Sequence, residues 1–346
     1  MMMGAILNEW KSVVWGFASV ALWVTGCADR RYEPFAEIRA GLAVHEGSRR
    51  LADADIESAL KEFQNAVELN PRLPQAHSRL GSIWEFKGDY AAAAKAFAEA
   101  VQLNPFDFDN SFALARAYQK LSRLADAVRA YLHACELKPD DYQARLNLGV
   151  CYHQAGELND ALEAYRKAAE IDPARPAAYV NMGVVHDARQ QPFEAIHAYN
   201  ESLERDPRQP LVLVNLATTL MKQERFTHAR KALERAIELA PSLALAHERL
   251  GYGLFRERNY EEALKQYQQA VELSPKMAEA HAGQGVVYMA MYLQQQDKAE
   301  LRRQAVDCWY KSLEINPDQP KIRNLVEKYR PKADDPMAAI LDTEGY

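Results

Sequence analysis

One pattern of small, large and polar positions recurs along the chain at a fixed interval, and a proline closes each copy. The segments before these prolines are near copies of one another, such as Glu-Leu-Asn-Pro and Glu-Ile-Asp-Pro. Seven of the prolines stand 34 residues apart and the eighth follows after 42: Pro71, Pro105, Pro139, Pro173, Pro207, Pro241, Pro275 and Pro317. Proline lacks an amide donor and disfavours helical geometry in the residue before it, so each one is predicted to end a helix.

Further prolines mark where the next helix is predicted to begin. Four of them come three residues after a closing proline: Pro74, Pro176, Pro210 and Pro320. Proline suits the first turn of a helix because the amide that it lacks would have no partner there.

Two helices within each copy are predicted to approach closely. If the closing proline is position 32, the copies begin at residues 40, 74, 108, 142, 176, 210, 244 and 278. Position 8 is then small: Gly47, Gly81, Ala115, Gly149, Gly183, Ala217, Gly251 and Gly285. Position 24 is large: Phe63, Phe97, Tyr131, Tyr165, Tyr199, Leu233, Tyr267 and Trp309. Glycine inside a helix costs about 0.5–1 kcal/mol relative to alanine, so its recurrence indicates a packing requirement.

This pattern resembles the tetratricopeptide repeat, a helix-turn-helix unit of 34 residues with small positions 8, 20 and 27, a large position 24 and proline at position 32. The resemblance implies an all-α fold, a right-handed superhelical solenoid whose stacked repeats share one continuous core. It predicts an eight-repeat array over residues 34–319 and a closing helix with a loosely ordered tail over residues 320–346. The first helix, Pro34 to Ala52, departs most from the pattern because Glu46 and Arg50 occupy positions that are usually apolar.

The last repeat holds eight extra residues between its helices, near Met289 to Ala299. Eight residues are about two helical turns, so each helix of this repeat is expected to be one turn longer. The apolar residues there either pack on the partner helix or form a projecting surface, and packing is the preferred interpretation.

An uncharged apolar run, residues 12–26, precedes the array. Its 15 residues are few for a membrane-spanning helix, which needs about 17–25, and they suit the middle of a secretory signal. Val24-Thr25-Gly26-Cys27 resembles the lipobox of bacterial lipoprotein precursors, which implies a signal peptide over residues 1–26, acylation of Cys27 and a tether over residues 27–33. The chain would then be lipid-anchored in the bacterial cell envelope, with the outer membrane facing the periplasm as the preferred location. The alternative is an uncleaved anchor on a cytoplasmic protein, which Arg30 and Arg31 favour because they oppose translocation.

Composition and motifs argue against an enzyme. A net charge of −6 argues against a protein built to bind nucleic acid, and four cysteines exclude a disulfide framework. The sequence has no nucleophile elbow, phosphate-binding glycine loop or metal-ligand spacing, so no catalytic residue, metal, cofactor or small-molecule substrate is predicted. His77, His247 and His281 share position 4 and are interpreted as half-buried packing residues. Cys135 and Cys151 either form a disulfide or, preferably, are buried packing residues.

Three asparagines share position 6 of successive repeats: Asn147, Asn181 and Asn215. In this family the first helices of the repeats line a concave groove, and the three amides are similar to the asparagine ladder of the protein O-linked N-acetylglucosamine transferase superhelix. An amide can pair with both the donor and the acceptor of a peptide unit. Arg79 and Arg249 stand at the same position in repeats 2 and 7 and complete the predicted peptide-binding set. The alternative is that asparagine here is a general habit of the family.

An apolar strip is predicted around the three amides: Leu146, Val180, Val184, Leu211, Val214, Met221, Tyr252 and Phe255. The predicted function is a non-enzymatic, membrane-anchored scaffold that binds protein or peptide segments in this groove. Similarity to other repeat lipoproteins suggests envelope assembly machinery as the source of those segments.

Overall fold

The computed structural model describes residues 35–330, and in that range the chain forms seventeen α-helices and no strand. The predicted all-α fold is therefore confirmed. The helices divide into two compact units, one ending at Leu137 and the other beginning at Lys138, and each is described by itself.

The first unit contains six helices that pack as three consecutive pairs. They are α1 (Ala36–Ala52), α2 (Ile56–Leu69), α3 (Pro74–Phe86), α4 (Tyr90–Leu103), α5 (Phe108–Lys120) and α6 (Leu124–Leu137). The predicted first helix therefore begins two residues later than the sequence suggested, and its buried face is made of Ala40, Ala43 and Gly47.

The second unit contains five further pairs and a single closing helix. Its helices are α7 (Tyr142–Ala155), α8 (Leu158–Ile171), α9 (Pro176–Ala188), α10 (Pro192–Arg205), α11 (Pro210–Lys222), α12 (Phe226–Leu239), α13 (Ala244–Arg256), α14 (Tyr260–Leu273), α15 (Ala278–Gln294), α16 (Ala299–Ile315) and α17 (Pro320–Tyr329). Within the described residues, no helix is both long and apolar enough to cross a bilayer.

The prolines act as predicted. The second helix of every pair ends two residues before its closing proline, and Pro74, Pro176, Pro210 and Pro320 each lie in the first turn of a helix. Aspartate side chains cap other helices by accepting a hydrogen bond from a backbone amide of the first turn, as Asp141 does from Ala144.

The turn inside each pair needs a left-handed backbone at position 15. Seven residues at this position have a positive φ: Ala54, Gly88, Ser122, Gly156, Gln190, Glu224 and Arg258. Only two of them are glycine, although a left-handed conformation costs other residues about 1–2 kcal/mol. The sequence alone did not reveal this turn, because five of the seven repeats lack its usual glycine signal.

Glycine at position 8 lies against the large side chain at position 24, as predicted. A Cβ atom on Gly183 would lie 2.5 Å from Cε1 of Tyr199, and one on Gly285 would lie 2.4 Å from Nε1 of Trp309. The rings at position 24 are among the largest fully buried side chains. Size complementarity between these two positions therefore sets the distance between the helices of a pair.

The buried apolar residues form clusters that meet on shared helices: Val184 of α9 packs against one cluster, and the adjacent Val185 belongs to the next. The largest lies in the second unit and includes Tyr199, Leu233 and Tyr267. A separate cluster centres on Tyr165, and another joins the last repeat to the closing helix through Trp309 and Val326.

The last repeat is longer, as predicted. Helices α15 and α16 each contain 17 residues, whereas the other pairs of this unit contain helices of 13 or 14 residues. Met289 is buried against Val306 and Trp309, with Tyr292 packed beside them, and Leu293 is exposed. The extra turns therefore pack mainly on one another.

Candidate functional site

The first helices of successive repeats in the second unit pack against one another. Helix α7 contacts α9, α9 contacts α11, α11 contacts α13, and α13 contacts α15. Helices α7, α9, α11 and α13 carry position 6 of repeats 4 to 7. We call the face that carries Asn147, Asn181, Asn215 and Arg249 the first-helix face.

The three asparagines of this face differ in their hydrogen bonding. All three are partly exposed. The Oδ1 atom of Asn147 accepts a hydrogen bond of 2.8 Å from Nε2 of Gln143. Within residues 35–330, the side-chain amides of Asn181 and Asn215 have no hydrogen-bond partner. Two of the three amides are therefore available to an added peptide, while the third is already engaged in part.

The exposed apolar strip is narrower than the strip that the sequence predicted. Leu146 and Val214 are buried and belong to the core, and Met221 is buried except where it lines a depression described below. Leu211 and Tyr252 are exposed. Spacing along a helix could not distinguish these groups, because the side that a neighbouring repeat covers depends on how the repeats stack.

Arg249 borders a depression between α11 and α13. Its lining comprises Thr218, Met221, Lys222, Glu224, Arg249, Tyr252 and Arg256. Thr218 lies three residues after Asn215, and Tyr252 lies three residues after Arg249, so the depression continues the first-helix face. The guanidinium of Arg256 donates a 2.8 Å hydrogen bond to the Tyr252 hydroxyl and lies over the Phe226 ring. The lining therefore offers cationic and aromatic groups beside the amides.

Arg249 is held in place by a buried carboxylate. Nη1 of Arg249 lies 2.8 Å from Oε2 of Glu248, which is only 5% exposed. The two groups are at ion-pair distance, but this oxygen makes no hydrogen bond of normal geometry among the described residues. Desolvation raises the pKa of Glu248, the Arg249 charge lowers it in part, and nearby Glu279 raises it further.

A polar network that the sequence did not suggest joins three helices of repeats 5 and 6. The Asp187 carboxylate accepts a 2.9 Å hydrogen bond from the Tyr199 hydroxyl and another of 2.8 Å from the Thr219 hydroxyl. Lys222 lies 3.8 Å from the same carboxylate. Burial, followed by the Asp187 charge, raises the pKa of Tyr199. Thr219 is fully buried, and the network connects α9, α10 and α11.

Arg79, the remaining predicted binding residue, lies in the first unit. It is exposed and borders a polar pocket with Gln75, Ser78 and Asp107. Asn110 also lines this pocket, and its buried Oδ1 atom has no hydrogen-bond partner within the described part of the chain. The structure thus places Arg79 at a polar pocket of the first unit.

Comparisons with known proteins agree with this architecture. A family model described as the cilia and flagella-associated protein 70 C-terminal domain matches residues 111–286, about half of the chain. A second model, described as the tetratricopeptide repeat, matches residues 45–108. The chain belongs to the tetratricopeptide repeat family. A comparison with curated proteins finds no match.

Solved tetratricopeptide repeat structures share the fold. The C-terminal part of a repeat-containing protein from Cytophaga hutchinsonii is 15% identical with a TM-score of 0.59, covering 71% of this chain and 98% of that one. A chain of the APC/C hetero-tetramer Cut9–Hcn1 is 18% identical with a TM-score of 0.55, covering 81% of this chain and 55% of that one. PilF of Pseudomonas aeruginosa is 20% identical with a TM-score of 0.50, covering 60% of this chain and 94% of that one.

The histidines at position 4 have a structural role in these repeats. His77, His247 and His281 are at most 9% exposed. In each, Nε2 lies 2.9–3.0 Å from the carbonyl oxygen of the closing proline six residues earlier. They are therefore packing residues that tie the first helix of a tetratricopeptide repeat to the loop before it. No group of three metal-ligating side chains occurs in residues 35–330.

The cysteines within the repeats are packed in the helices. Cys135 and Cys151 are both buried, as the packing interpretation requires. Cys151 is a free thiol, and burial raises its pKa to about 12. Cys308 is only half-buried. The signal peptide, Cys27, the tether and the C-terminal tail lie outside the described residues, so those predictions stay as they are.

Proposed function

We propose that this tetratricopeptide repeat protein is a non-enzymatic scaffold that binds extended peptide segments on the first-helix face of its second unit. The supporting observation is the pair of partly exposed side-chain amides of Asn181 and Asn215, one repeat apart, which have no hydrogen-bond partner in the described part of the chain. A repeat array offers an extended surface for a linear segment, and amides in register can bind its backbone irrespective of its side chains.

Recognition of such a segment would combine backbone and side-chain contacts. Each amide would donate to a peptide carbonyl and accept from a peptide N–H, as a neighbouring strand does. Exposed Leu211 and Tyr252 would contact apolar side chains. Beside them, Arg249 favours an acidic group near one end of the segment, because it is 35% exposed and its partner Glu248 is largely withdrawn from solvent.

Random dodecapeptides displayed on phage and selected on the full chain provide probes for this face. We expect Asn181→Ala with Asn215→Ala to weaken binding of the selected peptides, since each amide would lose two hydrogen bonds that contribute about 0.5 kcal/mol or more apiece. A combined loss of at least about 2 kcal/mol is roughly a 30-fold or greater rise in Kd, which fluorescence anisotropy can measure.

The matched control is Asn159→Ala with Asn200→Ala, which changes two exposed asparagines on the second helices α8 and α10. The control pair should leave the Kd unchanged, and circular dichroism should show the same melting temperature for both pairs. Equal binding by all three proteins would remove the amides from the proposal.

We also propose that acylated Cys27 holds the protein at the bacterial envelope. The support is the apolar run of 15 residues ending in Val24-Thr25-Gly26-Cys27. Metabolic labelling with a fatty-acid analogue should mark the wild-type chain but not Cys27→Ser, and persistent labelling of the variant would contradict the lipoprotein assignment. Protease added to whole cells and to spheroplasts distinguishes this topology from the cytoplasmic alternative with an uncleaved anchor.

Envelope assembly proteins are the proposed source of the bound segments. Affinity capture from native membranes after mild crosslinking would identify them. The Asn181→Ala, Asn215→Ala protein should lose those partners, whereas the Asn159→Ala, Asn200→Ala protein should retain them.

A further inference from the structure

An exposed apolar stripe runs along the beginning of helix α1. Phe35 is 65% exposed, Ile38 is 61% exposed and Leu42 is 63% exposed. Spacings of three and four residues place the three side chains on one side of the helix. The opposite side, with Ala40 and Ala43, is buried. Large apolar side chains that share one exposed face mark a surface that another molecule covers.

The stripe becomes polar with distance from the N-terminus. The next residues at the same helical spacing are His45 and Arg49, and both are exposed. The apolar part is therefore confined to the first two turns of the helix, which directly follow the N-terminal segment. This change from apolar to polar residues suits a helix whose first turns lie in an apolar layer while its later turns stay in water.

We propose that the stripe of Phe35, Ile38 and Leu42 docks into the interface of the membrane to which the N-terminus is attached. This inference rests on the proposed membrane attachment, but it does not depend on which form of attachment is correct. Seven residues separate Cys27 from Phe35, and a flexible chain of that length has a root-mean-square span of about 15 Å. An acylated Cys27 and an uncleaved anchor both hold α1 within reach of the headgroups.

Charge neither favours nor opposes this occupant, because Arg30 and Arg31 between the apolar run and the stripe are balanced by Asp29 and Glu33. The membrane would therefore hold the stripe through its apolar side chains. A second copy of the chain fits less well, because stable dimers bury about 800 Å² on each partner and three side chains cover much less. Docking would hold the first repeat against the bilayer instead of letting it swing on its tether.

The test measures how close the stripe lies to lipid in the full acylated chain, in vesicles of phosphatidylethanolamine and phosphatidylglycerol. The fluorophore NBD is attached to Ile38→Cys or Leu42→Cys in a Cys308→Ser background, and quenching by doxyl-labelled lipid is recorded. The control position is Phe106→Cys, an 85% exposed apolar site of the same unit. We expect at least about threefold more quenching at positions 38 and 42 than at position 106, as for an interfacial helix.

Closeness to the tether alone could also bring a label near lipid, so a second variant removes the stripe. With NBD at Phe35→Cys, the pair Ile38→Gln and Leu42→Gln should reduce quenching about twofold or more by removing apolar contact with the membrane. The control pair Phe86→Gln and Phe106→Gln should not reduce it. All five side chains are exposed, so circular dichroism should be unchanged.

Flotation of the same vesicles distinguishes a failure of membrane attachment from a failure of docking. A chain that does not float contradicts the membrane attachment and the docking with it. A chain that floats but shows equal quenching at positions 38 and 106 retains its attachment and overturns the docking. An emission shift at position 38 without lipid quenching also overturns it, because the stripe would then be covered by protein, either a second copy or another part of the chain.

Discussion

A Cβ atom added to Gly149 would lie 2.5 Å from Cε1 of Tyr165. The two residues hold positions 8 and 24 of one repeat, and the ring occupies the space that a methyl group would need. Real Cβ atoms do not approach that closely, so either the ring or the helix must move when the glycine is replaced. Tyr165 is 1% exposed, and its surroundings leave the ring little freedom to shift.

We therefore expect Gly149→Ala to lower the free energy of unfolding by about 1–3 kcal/mol, the usual cost of overpacking a core. The cost should be moderate, since Ala115 occupies the same position opposite Tyr131 in another repeat. Urea denaturation followed by circular dichroism measures it. Gly41→Ala is the control: no atom lies within 4 Å of its added Cβ, so helix propensity should stabilise the chain by about 0.5–1 kcal/mol.

A compensating change tests the same relationship further. Repeat 6 pairs Ala217 with Leu233, so Tyr165→Leu should recover part of the stability lost in Gly149→Ala. A double variant that is less stable than the sum of the two single effects would contradict this size complementarity.

The left-handed turns predict opposite effects of glycine and alanine at position 15. Gly156 has a φ of 82°, and Gly156→Ala should cost about 1 kcal/mol because a side chain disfavours that conformation. Gln190 has a φ of 57°, and Gln190→Gly relieves the strain of that conformation. Glycine also gives the unfolded chain more entropy, which offsets part of the gain, so the net stabilisation should be about 0.5 kcal/mol. Thermal denaturation of both variants checks this, and effects of the same sign would count against it.

The Asp187 network predicts that substitutions of Asp187 lower the free energy of unfolding, by an amount that depends on whether an acceptor oxygen remains at residue 187. Asp187→Ala leaves the Tyr199 hydroxyl without its acceptor, and such an unsatisfied buried group costs about 1–3 kcal/mol, whereas the Thr219 hydroxyl can still donate to the Asn215 carbonyl. Asp187→Asn keeps one acceptor oxygen and should cost about half as much. Asp160→Ala, an exposed position on α8, should change the free energy of unfolding very little. Chemical denaturation at pH 7 compares the three variants.

Buried Glu248 predicts a stability difference that changes with pH. Its folded-state pKa is raised, mainly by desolvation, so the folded chain holds the proton more tightly than the unfolded chain does. Stability attributable to this group is therefore present at low pH and is lost as the pH rises through the raised pKa. Glu248→Gln removes the buried charge and should stabilise the chain at pH 7 by about 1 kcal/mol.

That advantage should shrink as the pH falls towards 4, where both states of the wild-type carboxyl become protonated. Denaturation curves collected between pH 4 and pH 8 for wild type and Glu248→Gln measure the difference. Glu261→Gln, which changes an exposed carboxylate on α14, is the control and should show little change across the range. If the difference in unfolding free energy between Glu248→Gln and wild type stayed constant with pH, the effect of the substitution would come from packing and not from the charge.

The sequence by itself determined the repeat, its register and the limits of its helices. Closing prolines end helices through their own backbone chemistry, and the small and large residues at positions 8 and 24 meet inside one pair of helices, so both signals are complete within 34 residues. The extra turns of α15 and α16 followed from the same local arithmetic.

Only the tertiary structure decided which side chains remain accessible. It buried Val214 and Glu248 and exposed Ile38 and Leu42. Among residues 35–330 it left the side-chain amides of Asn181 and Asn215 without hydrogen-bond partners and gave Asn147 one in Gln143. It also showed five residues other than glycine in left-handed turns. The physical reason is that burial and hydrogen bonding depend on how neighbouring repeats stack, and the pattern within a single repeat does not contain that information.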